Sequence, residues 1–260
     1  MTDQTTEPLN QFDSRRWNVR FDEGRNARAK IGFVLLPNEQ TIEDDMIHHA
    51  PRGVGCFFHR GQMPHEITTS ALSRMGDAMA DYASAILPDD GLDVIAYACT
   101  SGTVAVGEEK TLRLLSKGAV GAKPTTLMTA VTQALSVLGA NTLAVGTPYI
   151  DELNTGVARH LKSKGFNIAV FEGLNLRYDR EMVRVSPDYL VEFAKAIDCR
   201  EADAVLISCG ALRTMEVIDR IEQAIGKPAV CSNQALLWHC LRLAGVDDRL
   251  EDLGRLLREH

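Results

Sequence analysis

The sequence predicts an α/β protein of two pseudo-symmetric lobes, each a mainly parallel sheet flanked by helices, with a functional cleft between them. Apolar strand-like runs alternate with helical segments along most of the chain, the pattern of a parallel sheet covered by helices. Three landmarks also recur in the same order. Pro37, just after one strand, returns as Pro148, an offset of 111. Asp93 and Cys99, six positions apart, return as Asp203 and Cys209, an offset of 110. Lys123-Pro124 returns as Lys227-Pro228, an offset of 104. Matches in one order at nearly one spacing indicate an internal duplication. Open parallel sheets bind ligands beyond the carboxyl ends of their strands. Matched strand ends, and with them Cys99 and Cys209, are therefore expected to face each other across one cleft.

The elements follow in order. Residues 1–28 are polar, carry both charge signs and read as an arm. Residues 29–140 form the first lobe. IGFVLL (31–36) is a strand stopped at Pro37-Asn38, and FFHRGQMPHEITT reads as loop. Residues 70–87 space Leu72, Met75, Met79, Tyr82 and Ile86 at three and four, the period of a helix, which ends at Pro88. LDVIAYAC (92–99) is a buried strand running into a polar turn, KTLRLLSKGA a helix, and 125–140 a second amphipathic helix. Residues 141–260 form the second lobe, whose last segment can cross back to the first. Its strands are 141–150, FNIAVFEGL, DAVLISC and KPAVCS. Its helices are DELNTGVARHLKSKG, 186–197 with Ser186 as cap and Pro187 at the first position, TMEVIDRIEQAIG, and NQALLWHCLRLAG closed by Gly245.

Composition narrows the function. A net charge of −7 without a basic stripe argues against nucleic acid. No apolar run is long enough to span a membrane, and the polar start lacks a secretory core, so a cytoplasmic protein is expected. The six cysteines form no CxxC pair and are expected to be free thiols, small buried hydrophobes for the most part. The four histidines His48, His49, His59 and His65 lack metal-ligand spacing and read as loop and surface. Gly102 and Gly107 are followed by Glu108-Glu109 rather than Lys-Ser/Thr, and no GxGxxG opens a helix, so neither metal nor nucleotide cofactor is expected.

Cys99 and Cys209 are the exceptions among the cysteines. Each ends an apolar strand at what reads as a strand-to-helix turn, where a helix N-terminus would stabilise a thiolate. One thiolate and one thiol on opposite faces of a substrate make a base and an acid, able to move a proton from one face to the other. Thr100 and Ser101 supply hydroxyl and backbone donors beside the first thiol, and Gly210 and Ala211 backbone donors beside the second. These suit the two oxygens of an enediolate. Tyr149 and Asn38, at the matched strand ends, are further donors. The alternatives are packing for Cys99, capping for Thr100 and Ser101, a buried aromatic at Tyr149, and turn chemistry at Asn38.

With these residues in place, the chain resembles the aspartate/glutamate racemase superfamily, and within it the arylmalonate decarboxylase and maleate cis–trans isomerase branches. SCGALRT (208–214) is similar to the decarboxylase second-cysteine motif, TPYI (147–150) to the segment carrying an active-site tyrosine, and KPAVCSNQALLWHCLRLAG to the C-terminal strand and helix of the branch. The likeness covers about residues 30–246. It implies that Thr100 and Ser101 hold a dioxyanion and that Cys209 protonates a carbanion. It also matches Asn38 and Asn175 to asparagines that bind substrate carboxylate in maleate isomerases. Cys99 departs from the decarboxylases, which carry a small non-thiol residue there, and turns the expectation toward racemisation, epimerisation or cis–trans isomerisation. The whole sequence, arm included, is similar to the EutA group of bacterial ectoine and hydroxyectoine utilisation. The expectation is a cofactor-independent racemase or isomerase of a small carboxylate or amino acid, acting as a homo-oligomer. The alternatives are a decarboxylase using Cys209 alone and a non-catalytic carboxylate-binding protein.

Overall fold

The computed structural model describes residues 15–62 and 68–260. The first half of the N-terminal arm and His65 lie outside the described residues. Two four-stranded parallel sheets make the framework. The first contains β1 (Ala29–Leu35), β2 (Val54–Arg60), β3 (Val94–Tyr97) and β4 (Lys123–Thr126), in the order β2-β1-β3-β4. The second contains β5 (Thr142–Thr147), β6 (Asn167–Gly173), β7 (Ala204–Ile207) and β8 (Ala229–Cys231), in the order β6-β5-β7-β8. The two orders are the same once four is subtracted from each label of the second sheet, as a duplicated lobe requires.

Helices connect the strands. In the first lobe these are α1 (Ile42–His49), α2 (Thr69–Asp77), α3 (Met79–Ser84), α4 (Thr100–Val106), α5 (Glu108–Gly118) and α6 (Leu127–Val137). In the second they are α7 (Asp151–Ser163), α8 (Asp179–Met182), α9 (Pro187–Ile197), a 3₁₀ turn over Arg213–Val217, α10 (Ile218–Ile225), α11 (Ser232–Ala244) and α12 (Gly254–Glu259). The central strands β3 and β7 are buried along their whole length, because helices cover both faces of each sheet. Helices α6 and α11, each following the last strand of its lobe, pack on one another. Helix α11 also reaches β1, β3 and β4 of the first sheet, while α6 reaches β8 of the second. Helix α11 is buried on nearly all sides, from Ser232 to Leu241, and joins the lobes into one core.

The matched aspartates have a structural task at the opposite end of the sheets from the thiols. The Asp93 carboxylate accepts from the Lys30 backbone N–H at 2.7 Å, and that of Asp203 from the Thr142 and Asn141 N–H groups at 2.8 and 3.0 Å. Each ties the start of its lobe's central strand to its neighbour.

Several elements differ from the sequence reading. FFHRGQ is not loop throughout: Val54–Arg60 is the edge strand β2, and α1 precedes it. An edge strand carrying His59 and Arg60, half exposed, lacks the apolar signature of the central strands. The segment 70–87 is two helices, α2 and α3, with a break at Ala78. The turn after Cys99 is the helix α4, whose Thr-Ser-Gly start reads as a turn because these residues also cap.

Candidate active site

The site grows from the ends of β3, β5 and β7. Beyond β3 the chain passes Ala98 and reaches Cys99, which is the N-cap of α4. Its Sγ accepts the Gly102 N–H at 3.2 Å, lies 3.7 Å from the Ser101 hydroxyl, and its carbonyl accepts the Thr103 N–H and hydroxyl. Gly102 is required here: a Cβ would stand 2.1 Å from the Tyr97 hydroxyl and 2.9 Å from the Cys99 sulfur. Beyond β7 the chain passes Ser208 and reaches Cys209, whose Sγ accepts the Ala211 N–H at 3.3 Å. No α-helix starts at Cys209. The expected strand-to-helix turn holds for Cys99 only, since the second thiol opens a turn that enters the 3₁₀ segment. That turn is fixed from outside. The Asn233 amide of α11 donates to the Gly210 carbonyl at 2.9 Å and to Asp45 at 2.7 Å, and the Thr41 hydroxyl of the first lobe donates to the Ala211 carbonyl at 3.2 Å. Beyond β5, the Tyr149 N–H donates to the Thr147 hydroxyl at 3.1 Å, and its carbonyl accepts from Asn154 at 3.0 Å.

These strand ends enclose one small cavity of about 20 Å³, room for about one water molecule. The structure brings seven of the residues singled out in the sequence to its wall: Cys99, Thr100, Ser101, Tyr149, Cys209, Gly210 and Ala211. It adds Leu36, Ile42 and Ala98, and two acids, Glu39 and Asp179. Glu39 and Asp179 also line a larger cavity of about 670 Å³ on the outside, together with Asn38, Arg60, Tyr178 and Arg180. The two acids thus form the partition between an outer vestibule and the thiols. Asn38 stands in the vestibule and not beside the sulfurs. Asn175 is not brought to the site: it is exposed and in the left-handed conformation, φ 59°, a turn role that asparagine tolerates. Glu39 and Asp179 were missed because a lone acid in a loop, or at the start of a four-residue helix, carries no periodic signal. Their positions just beyond the ends of β1 and β6 are the one clue the sequence holds.

Electrostatics in this enclosure oppose ionised thiols. Burial pushes Cys99 up to about 11, against the pull of the Gly102 N–H and the Ser101 hydroxyl. Burial pushes Cys209 up to about 12, against the Tyr149 phenol and the Ala211 N–H. The Asp179 charge raises both. Burial therefore favours the neutral thiol at both positions, and the N-terminus of α4 does not offset desolvation at Cys99. The Tyr149 phenol is likewise held well above its ordinary value by burial and stays a donor. Burial raises Glu39 to about 7, with the Thr41 and Ile42 N–H groups and Arg60 drawing it back. Burial alone raises Asp179 to about 6. Among the described residues no group of three or more His, Cys, Asp or Glu side chains is placed to hold a metal ion, and no helix is long and apolar enough to cross a membrane.

Duplicated parallel α/β lobes with a thiol from each at one interlobe cavity define the class: a two-lobe α/β protein with a thiol-lined cleft. The chain belongs to the arylmalonate decarboxylase family, whose model matches residues 45–257. It is 30% identical over 234 residues to the arylmalonate decarboxylase of Bordetella bronchiseptica, covering 88% of this chain and 96% of that one. It is 28% identical to a maleate isomerase of Geobacillus stearothermophilus, with the same coverage. A cysteine-to-serine mutant of Nocardia farcinica maleate cis–trans isomerase, solved with a covalently bound succinylcysteine intermediate, shares the fold. The TM-score is 0.80 and the identity 24%, over 89% of this chain and 99% of that one.

Proposed function

We propose that this enzyme is a cofactor-independent racemase or isomerase of a small carboxylate, working through Cys99 and Cys209. The observation that carries the reading is the placement of both cysteines, one from each lobe, on the wall of a single cavity that Thr100, Ser101, Gly210 and Ala211 also line. In racemisation, one sulfur as thiolate takes the proton from the carbon beside the carboxylate. The electron pair passes to the carboxylate oxygens, and the opposite S–H returns a proton on the other face. The Thr100 and Ser101 hydroxyls and the Gly210 and Ala211 N–H groups hold the enediolate, and the Tyr149 phenol adds a donor. In cis–trans isomerisation one thiolate adds to the double bond, the bond rotates, and the thiolate leaves. The covalent succinylcysteine seen in the Nocardia isomerase supports that variant. The sequence likeness to the EutA group supports the further reading that the reaction serves ectoine or hydroxyectoine breakdown, in a cytoplasmic homo-oligomer.

Proton NMR in D₂O with a panel of small chiral acids tests the reading. Loss of the α-proton signal, abolished in both Cys99→Ala and Cys209→Ala, supports it, and turnover unchanged by either substitution refutes it. A second reading rests on the family match and on the Bordetella relative. It is decarboxylation with Cys209 alone as proton donor, and it predicts carbon dioxide release that survives Cys99→Ala.

A further inference from the structure

The turn that carries Cys209 is held by a chain of contacts that starts in the other lobe. Asp45 of α1 is 8% exposed and Asn233 of α11 is 1% exposed. The Asn233 Nδ2 donates to the Asp45 Oδ2 at 2.7 Å and to the Gly210 carbonyl at 2.9 Å. The Gly210 carbonyl and the Ala211 N–H belong to one planar trans peptide and point opposite ways. Holding the carbonyl therefore aims the N–H, which donates to the Cys209 sulfur at 3.3 Å and draws that thiol's pKa down. Both hydrogens of the Asn233 amide are used, while its Oδ1 is buried and has no partner among the described residues. A buried acceptor left unpaired is unfavourable and calls for a reason. The reason lies on the nitrogen side. Turned over, the amide would set Oδ1 against both the Asp45 carboxylate and the Gly210 carbonyl.

We propose that Asp45 is a positioning residue for Cys209: its carboxylate, able only to accept, fixes the Asn233 amide and through it the Gly210–Ala211 peptide, so that a helix of the first lobe aims the donor of the second lobe's thiol. The inference rests on the two-thiol reading for its catalytic consequence, while the chain of contacts stands without it. Burial raises Asp45 to about 6, with the Asn233 amide drawing it back, so the carboxylate is ionised at neutral pH. Besides Asn233, the groups facing it are Asp44 and His48 of its own helix, Arg213 and Glu216 of the 3₁₀ turn, and Cys231 at the end of β8. Once protonated, Asp45 carries a hydroxyl that can donate to the orphaned Asn233 Oδ1. The amide then turns, the Gly210 carbonyl loses its donor, and the Ala211 N–H is no longer aimed at the sulfur.

Amide NMR of the ¹⁵N-labelled full chain tests this without a substrate. Asp45→Asn keeps the size and shape of the side chain but can donate as well as accept. At pH 7 the variant is expected to speed hydrogen exchange at Ala211 at least about tenfold and to leave Gly102, the donor to Cys99, within about twofold. Exchange at Ala211 unchanged, or rising together with Gly102, overturns the proposal. Wild-type protein decides even where the variant does not fold. Between pH 5 and 7 its Ala211 amide shift is expected to step near 6, the Asp45 value, by more than that of Gly102. Asp179 also stands at about 6 but acts on both thiols, so equal steps at the two amides overturn the proposal. On any chiral acid the enzyme turns over, Asp45→Asn is expected to lower kcat at least about tenfold with KM within about twofold. A loss carried by KM alone overturns the positioning role. Turnover kept in Cys209→Ala refutes the two-thiol reading instead, and leaves the Ala211 amide to judge Asp45.

Discussion

The two lobes share strand order, strand-end thiols and the aspartate that ties the central strand, yet they hold their thiols differently. Cys99 is fixed by its own lobe, as the cap of α4. Cys209 sits in a turn held by Asn233 from α11 and by Thr41 of the other lobe. The first sulfur receives an N–H at a helix start and the Ser101 hydroxyl and stands at about 11. The second stands at about 12. Two matched strand ends therefore carry two thiols, both raised by burial, and local structure holds them by different means. Because Thr41 and Asn233 bridge the lobes, the position of Cys209 depends on how the lobes meet, while that of Cys99 does not.

The largest expected effect comes from removing either sulfur. Cys99→Ala and Cys209→Ala should each lower turnover by about 10²–10⁴-fold, the range of a lost general acid or base, as measured by initial rates. A loss confined to Cys209→Ala would convert the pair into a single-cysteine site. Next comes Asp179→Asn. The folded carboxyl titrates at about 6, above its ordinary 3.8, so the folded protein holds this proton more tightly than the unfolded chain. Rising pH therefore removes stability between about 4 and 6, and the penalty is complete above that window. The variant should be more stable than the wild type by about 2–3 kcal/mol at pH 8 and no different near pH 3.5. Chemical denaturation at both values checks this.

Two substitutions sharpen the contrast between lobes. Gly102→Ala forces a Cβ against the Tyr97 hydroxyl and should cost about 1–3 kcal/mol, disturbing Cys99 without touching Cys209. Asn233→Ala leaves Asp45 and the Gly210 carbonyl without their donor and should cost about 1–2 kcal/mol, disturbing Cys209 alone. Alkylation followed by peptide mass spectrometry reads which sulfur gains access in each. The smallest effect is expected from Asp203→Asn, at the far end of the second sheet. Its pKa is lowered by the Thr142 and Asn141 N–H groups, so its contribution is present at neutral pH and lost on acidification. The variant should show a slight fall in Tm and an unchanged kcat.

The pairing of Cys99 with Cys209 was legible because both follow fully apolar strands and share an aspartate at the same distance. Ser186 as a cap and Gly245 as a left-handed helix stop were legible from local chemistry. The edge strand β2 was not, since half-exposed His59 and Arg60 mask its pattern. Neither was the loss of helix after Cys209, which depends on contacts from Thr41 and Asn233, 168 and 24 positions away. Glu39, in the loop after β1, and Asp179, at the start of α8, come together only in the folded two-lobe molecule, and Asn175, singled out by likeness, is exposed in a left-handed turn.

The most direct test of the two-thiol site follows deuterium in D₂O during the first few per cent of conversion of any chiral acid the enzyme turns over. One thiol on each face predicts that the newly formed enantiomer carries a deuterium while the recovered starting enantiomer carries none. Deuterium appearing at equal rates in both enantiomers would mean that one group serves both faces, and would contradict the account.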